Sequence, residues 1–170
     1  MSSRGVLPKR PSVELPGGCS PAVAFGDVDG DGDVDLAVAH GRSHADERSP
    51  QRVYLNENGG FARDRYWEST TRVQAADLVL GDLNSDGLLD LLVASTRRKG
   101  DWAWPFFGER GADGTVSLAR SAQPLHHSGW RGFVYAPAVG PIYKGQVIAS
   151  FSDQISTKSR DRSERIVVRL

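Results

Sequence analysis

The chain has a single cysteine, Cys19, so no internal disulfide can form and the fold is held by other means than the staples of small secreted domains. Glutamate is scarce: it supplies 6 of the 21 acids and aspartate the other 15. Helical surfaces favour Glu, whereas turns and cation loops favour Asp. No segment carries a helical apolar stripe of useful length. Nothing approaches the ~18 consecutive apolar residues of a spanning helix, so no membrane insertion is expected. The opening Met1-Ser2-Ser3-Arg4-Gly5 shows no signal-peptide pattern. Charge of one sign is not in excess: 21 Lys+Arg face 21 Asp+Glu, which argues against a general nucleic-acid binder. No G-x-S-x-G, phosphate loop or paired-acid arrangement stands out beyond the aspartate clusters described next, so the chain is expected not to be an enzyme.

What is present fits a one-domain length of 170 residues. Hydrophobic residues at 39% and charged residues at 25% place it with globular chains rather than disordered ones. Glycine is abundant at 19 residues, which points to strands and tight turns. Eight of the aspartates fall in two short segments, Asp27–Asp35 and Asp82–Asp90. Without those eight, 13 acids face 21 bases. The acid is concentrated at two points of an otherwise basic chain.

The two points belong to a repeat. Residues 22–39 and 77–94 align without gaps at an offset of 55. Gly26 falls on Gly81, Asp27 on Asp82, Asp29 on Asn84, Asp31 on Asp86, Gly32 on Gly87 and Asp35 on Asp90. A degenerate third copy spans Tyr135–Ser150, with Gly140 lying 59 residues after Gly81 and no aspartate in its loop. Each copy reads as strand, tight loop, strand. First strands are expected at Val23–Gly26 and Leu78–Gly81, and second strands at Val34–Ala39 and Leu88–Ser95. Third strands follow at Arg52–Leu55 and Trp104–Phe107, and fourth strands at Phe61–Arg63 and Thr115–Ala119. Asn56–Gly60 and Glu109–Gly114 supply the hairpin turns. Val6–Leu15 reads as a lone fourth strand entering the first unit, and Arg165–Leu170 as a third strand of the third copy. Four short strands at a period of 55 to 59 residues is the pattern of propeller blades. The expected fold class is therefore all-β: about three four-stranded β-propeller-type blades in an incomplete propeller. After a tail at residues 1–11, blade 1 covers about 20–74, blade 2 about 75–134 and a degenerate blade 3 about 135–170.

The chemistry lies in Asp27-x-Asp29-x-Asp31-Gly32-x-x-Asp35 and Asp82-x-Asn84-x-Asp86-Gly87-x-x-Asp90. Oxygen ligands at loop positions 1, 3, 5 and 9, with a turn glycine at 6, wrap a hard cation. Position 7, Asp33 or Leu88, would offer its backbone carbonyl. Ca2+ accepts six to eight such oxygens in a flexible shell, whereas Mg2+ demands a stricter octahedron. Neither loop holds His or Cys, which argues against zinc. Two sites for Ca2+ are expected, the first tighter because it is richer in carboxylates. Two carboxylates ~4 Å apart repel by about 1 kcal/mol in water and about 4 kcal/mol at an effective dielectric near 20. The competing reading is a pair of Asp-Gly turns that need no metal. A helical EF-hand is disfavoured because its twelfth position holds Val38 and Val93 rather than Glu.

The stretch Ala24–Ala39, with Asn56–Phe61 after it, resembles the FG-GAP/VCBS repeat, the blade of integrin-α-like β-propellers. The Gly-Ala-Pro half of that pattern is replaced by Ala39-His40-Gly41 and Ala94-Ser95-Thr96. The resemblance implies Ca2+ at Asp27, Asp29, Asp31, Asp35 and at Asp82, Asn84, Asp86, Asp90. It also implies an extracellular or cell-surface setting and a propeller surface for binding or adhesion to a protein or glycan. The alternative is a propeller module of a larger extracellular hydrolase or lyase. Three blades leave open packing faces, so self-assembly or the remainder of a longer propeller is expected to cover them.

The remaining candidates read as structural residues. His40 with His44, and His126-His127 with Trp130, read as turn or surface residues rather than metal sites. Trp67, Trp102, Trp104 and Trp130 read as fillers between blades rather than sugar platforms. Cys19 has no nucleophile context.

Overall fold

The computed structural model describes residues 13–16, 19–20, 22–41, 49–95, 103–120 and 124, together with the backbone of 134–139, 148–153 and 164–167. These residues are all-β, and no helix occurs among them. The first sheet has the order β1-β2-β3-β4, from β1 (Ala22–Gly26), β2 (Asp35–Ala39), β3 (Ser49–Glu57) and β4 (Gly60–Val73). The second has the order β5-β6-β7-β8, from β5 (Ala75–Gly81), β6 (Asp90–Ser95), β7 (Ala103–Arg110) and β8 (Val116–Arg120). A third sheet pairs β9 (Val134–Val139), β10 (Ile148–Asp153) and β11 (Glu164–Val167) in the order β11-β10-β9. Every pairing is antiparallel between consecutive strands. These are meandering sheets of blade type that do not close into a ring.

The repeat is kept in the register. Gly26 pairs with Asp35 and Phe25 with Leu36, as Gly81 pairs with Asp90 and Leu80 with Leu91. Strand β5 lies beside β1 on one side and β9 on the other, so the first strand of each sheet runs next to that of its neighbour.

Paired residues share a face of a sheet, and this fixes the core. On the first sheet the row Ala24–Ala37–Val53–Trp67 faces the second sheet. There it meets the row Leu80–Leu91–Phe106. Trp67 and Phe106 stand edge to face at 5.6 Å, a geometry that adds to their area burial. Ala37, Val53, Leu91, Val93 and Phe106 are fully buried in this seam. Short alanines on one side against leucines and aromatics on the other let the two sheets interdigitate.

Several strand limits depart from the expectation. The fourth strand of the first sheet was expected at Phe61–Arg63 and instead runs from Gly60 to Val73. Its partner β3 starts at Ser49, three residues before the expected Arg52. Two register shifts, between Pro50 and Arg52 and between Tyr54 and Asn56, keep this long ribbon paired while it bends. Buried polar contacts hold its far end. Gln51 Nε2 donates to the carbonyls of His40, Ser49 and Val73, while Gln51 Oε1 accepts the His40 amide. One glutamine thus ties three strands where the apolar pattern fails. Val13–Leu15, expected as strand, is irregular. The rest of Val6–Leu15, and residues 168–170 of the expected last strand, lie outside the described residues.

Candidate metal centre

Loop 1 connects β1 to β2 through Asp27–Val34, and loop 2 connects β5 to β6 through Asp82–Leu89. Both coil tightly, with φ of +76° and +96° at Gly30 and Gly32, and +66° and +85° at Ser85 and Gly87. Glycine adopts this region without steric cost, and a serine there is a strained exception.

The loops share one hydrogen-bond plan. Asp27 Oδ2 accepts the Gly32 amide at 3.1 Å, and Asp82 Oδ2 accepts the Gly87 amide at 3.0 Å. Asp29 Oδ1 accepts from Asp31, and Asn84 Oδ1 from Asp86. Asp31 Oδ1 accepts from Asp33, and Asp86 Oδ1 from Leu88. Asp35 and Asp90 are fully buried. Asp35 Oδ2 takes the Val28 amide at 2.7 Å and Asp90 Oδ2 the Leu83 amide at 2.6 Å. Their Oδ1 atoms accept from the third strand, from Asn56 at 2.9 Å and Gly108 at 2.8 Å. Val28 and Leu83 are buried, which brings both loops inward.

The loops differ in what is left over. In loop 1 the ligand atoms of Asp27, Asp29 and Asp35 lie within 4.8 Å of one another. Asp27 Oδ1 is buried with no hydrogen-bond partner among the described residues. An orphaned buried carboxylate oxygen is costly, and its position beside two more carboxylates fits a hard cation. In loop 2 the equivalent oxygen is satisfied: Asp82 Oδ1 accepts from Ser85 at 2.6 Å and Asp86 at 3.2 Å. Asn84 turns its amide nitrogen to Asp86 Oδ2 at 2.8 Å. Loop 2 forms no such three-carboxylate group among the described residues.

Electrostatics follow the same division. The Asp29 carboxyl is held above its usual range by burial, with the Asp35 charge next in weight and Asp31 and Asp27 adding to it. Asp90 is raised by burial. The Gly108 and Leu83 amides pull it back down, and the Asp86 and Asp82 charges push it further up. A divalent cation among such carboxylates would relieve both burial and repulsion.

The structure thus brings Asp27, Asp29 and Asp35 together and leaves Asp31 outside that group. The Asp33 side chain is committed elsewhere, accepting the Asn58 amide of the β3–β4 turn at 2.6 Å. Leu88, at the matching place in loop 2, has no such side chain. The roles of Asn56 and Gly108 as amide donors to the buried aspartates were not foreseen. Only their place in the third strand, opposite the loop, signals them.

Among the remaining candidates, Trp67 fills the seam between sheets and half-buried Trp104 packs against the core. Cys19 is exposed, and its carbonyl accepts the Gly41 amide. His40 is buried. His44, Trp102, His126, His127 and Trp130 lie outside the described residues. No helix among the described residues is long and apolar enough to cross a membrane.

The family model of the FG-GAP-like repeat matches residues 27–93, a span that takes in both aspartate loops. No curated protein and no solved structure matches the chain.

Proposed function

From the FG-GAP-like repeat at residues 27–93, we propose that this repeat domain of propeller type binds Ca2+ in its two aspartate loops. Its role is non-enzymatic: the loops stiffen the blades, and the propeller surface binds a protein or glycan ligand outside the cell, as in adhesion. The observation that carries the reading is the orphaned Asp27 Oδ1, buried beside the carboxylates of Asp29 and Asp35. Asp27, Asp29 and Asp35, whose oxygens converge, would hold the ion in loop 1 with the Asp33 carbonyl, and exposed Asp31 would swing in to complete the shell. Asp82, Asn84, Asp86 and Asp90, with the Leu88 carbonyl, would hold it in loop 2. The bound ion supplies neutralising charge and a multidentate anchor, which suits weak sites in calcium-rich extracellular fluid. Asp35 and Asp90 are tied by both oxygens to backbone amides, which suits a fixed structural role better than proton transfer.

The test is calcium titration by calorimetry, paired with thermal unfolding in Ca2+, Mg2+ and chelator. Ca2+ at a hundredfold excess over Kd should stabilise the fold by about 2.7 kcal/mol per site. Asp27→Asn should remove the loop 1 contribution. A melting midpoint equal in calcium and chelator, with no heat of binding, overturns the reading.

A further inference from the structure

The second sheet reaches across the seam to the tip of loop 1. Strands β7 and β8 pair Gly108 with Leu118 and Arg110 with Val116. By the alternation of a strand these residues share the face that carries Phe106. Leu118 is buried in the same core cluster as Val28 of loop 1. Two residues further out, a Cβ on Gly30 would lie 3.7 Å from Arg110 Nη2 and 3.8 Å from Val116 Cγ2. Gly30 stands between Asp29 and Asp31, so the guanidinium abuts the backbone of the acidic loop. Its other nitrogen is anchored: Arg110 Nη1 donates to the Gly114 carbonyl at 3.0 Å, within the turn that closes the hairpin. That turn is braced in its own right. The Gly111 amide donates to the Thr115 carbonyl at 2.7 Å, and Asp113 accepts from the Thr115 amide and hydroxyl. Arg110 makes no ion pair among the described residues.

A fixed positive charge therefore rests on the loop without being committed to one carboxylate, and it acts on the acid group as a whole. That group is Asp27, Asp29, Asp31, Asp33 and Asp35. The cation is not part of the plan that the two sheets share. Gly108 braces Asp90 as Asn56 braces Asp35, and two residues after Asn56 stands the uncharged Asn58. Resting on the reading of loop 1 as a Ca2+ site, we propose that Arg110 is a counter-charge which the second sheet supplies to that loop, and that it sets the loop's affinity for the ion. Without the ion, Arg110 offsets part of the repulsion among the aspartates. With the ion, the same charge repels it. The coupling is reciprocal: what Arg110 adds to the stability of the ion-free protein it takes from Ca2+ binding. Filling of the first sheet's loop is thus governed by a residue of the second.

Calcium titration by calorimetry tests this with wild type, Arg110→Gln and Arg110→Lys at about 10 mM and about 150 mM salt, where charges are screened over about 30 Å and about 8 Å. Asp27→Asn identifies the loop 1 heat. Arg110→Gln should tighten the loop 1 site about threefold at the lower salt and less than about twofold at the higher. The loop 2 site should not change. By reciprocity, Arg110→Gln should lower the unfolding midpoint more in chelator than in calcium. Arg110→Lys keeps the charge and loses the planar fork, so it should bind Ca2+ as the wild type does. A loop 1 site that is unchanged or weaker in Arg110→Gln overturns the proposal. So does a lysine variant that behaves like the glutamine one, which would assign Arg110 to bracing the Gly114 turn alone. Both of those outcomes leave the calcium reading standing. A wild type that gives no heat of binding overturns that reading, and the proposal falls with it.

Discussion

Asp90 and Gly108 are 18 residues apart, yet the Gly108 amide donates to Asp90 Oδ1 at 2.8 Å in the buried interior of the second sheet. The first repeat builds the same brace between Asn56 and Asp35 at 2.9 Å. In each case the other carboxylate oxygen accepts an amide at the start of the acidic loop. One side chain therefore joins the loop to the third strand before any cation is considered.

The brace makes a prediction that is independent of metal. Asp90→Ala would leave the Leu83 and Gly108 amides unpaired. At about 1–3 kcal/mol for each orphaned donor, the loss is about 2–6 kcal/mol. Asp35→Ala should cost a similar amount through Val28 and Asn56. Urea unfolding in chelator measures both. A loss that appears only when calcium is present would mean that these residues act solely as ligands.

The two loops should be unequal, and one substitution should narrow the gap. Asn84 occupies the place of Asp29 and points its amide nitrogen at Asp86, where a cation would want oxygen. Asn84→Asp removes that donor and adds a charge. At 4 Å the added attraction is worth at least about 1 kcal/mol, so the second calorimetric site should tighten by at least about fivefold. A weaker or unchanged second site contradicts this.

Glycines in the second repeat should fail for different reasons. A Cβ at Gly108 would meet the Leu89 carbonyl oxygen at 2.8 Å and Leu88 Cβ at 2.9 Å. Overpacking against backbone costs about 1–3 kcal/mol, and Gly108→Ala would also disturb the amide that Asp90 accepts. Gly87 has open space around it but φ of +85°. Gly87→Ala should cost only about 1 kcal/mol of backbone strain. Thermal unfolding of the pair separates the two cases, and equal losses would refute the packing argument.

What could be read before the structure, and what could not, divides along the range of the interactions. The alignment of Gly26 with Gly81 and of Asp35 with Asp90 was visible because a short loop between strands constrains its own residues. The four-stranded sheets followed from that period, and Trp67, read as a filler between blades, stands in the seam. The length of β4 was hidden, since Arg63, Asp64 and Arg65 are exposed and give no apolar alternation. Its pairing is set instead by bulges and by Gln51, a polar residue whose burial no local pattern announces. Asp31 matches the loop pattern as well as Asp29 does. Only three dimensions show that Asp29 joins Asp27 and Asp35 while Asp31 faces solvent.

His40 should give the fold a dependence on pH. It is buried at the end of β2, and its Nε2 has no hydrogen-bond partner among the described residues. Burial is the main force lowering its pKa below the usual 6.5. The Arg52 charge adds to this and Glu68 opposes it. The folded state therefore prefers the neutral ring more than the unfolded chain does. The resulting stability is fully present above pH 6.5 and is lost as pH falls through the lower folded value. Asp29 and Asp90, whose carboxyls are raised, act in the opposite sense, so the total curve mixes the two. Subtracting the curve of His40→Gln isolates the histidine. The wild type should lose stability relative to that variant between neutral pH and pH about 5, where an ordinary histidine becomes charged. Parallel curves for the two proteins across that range would show that His40 takes up its proton as readily folded as unfolded.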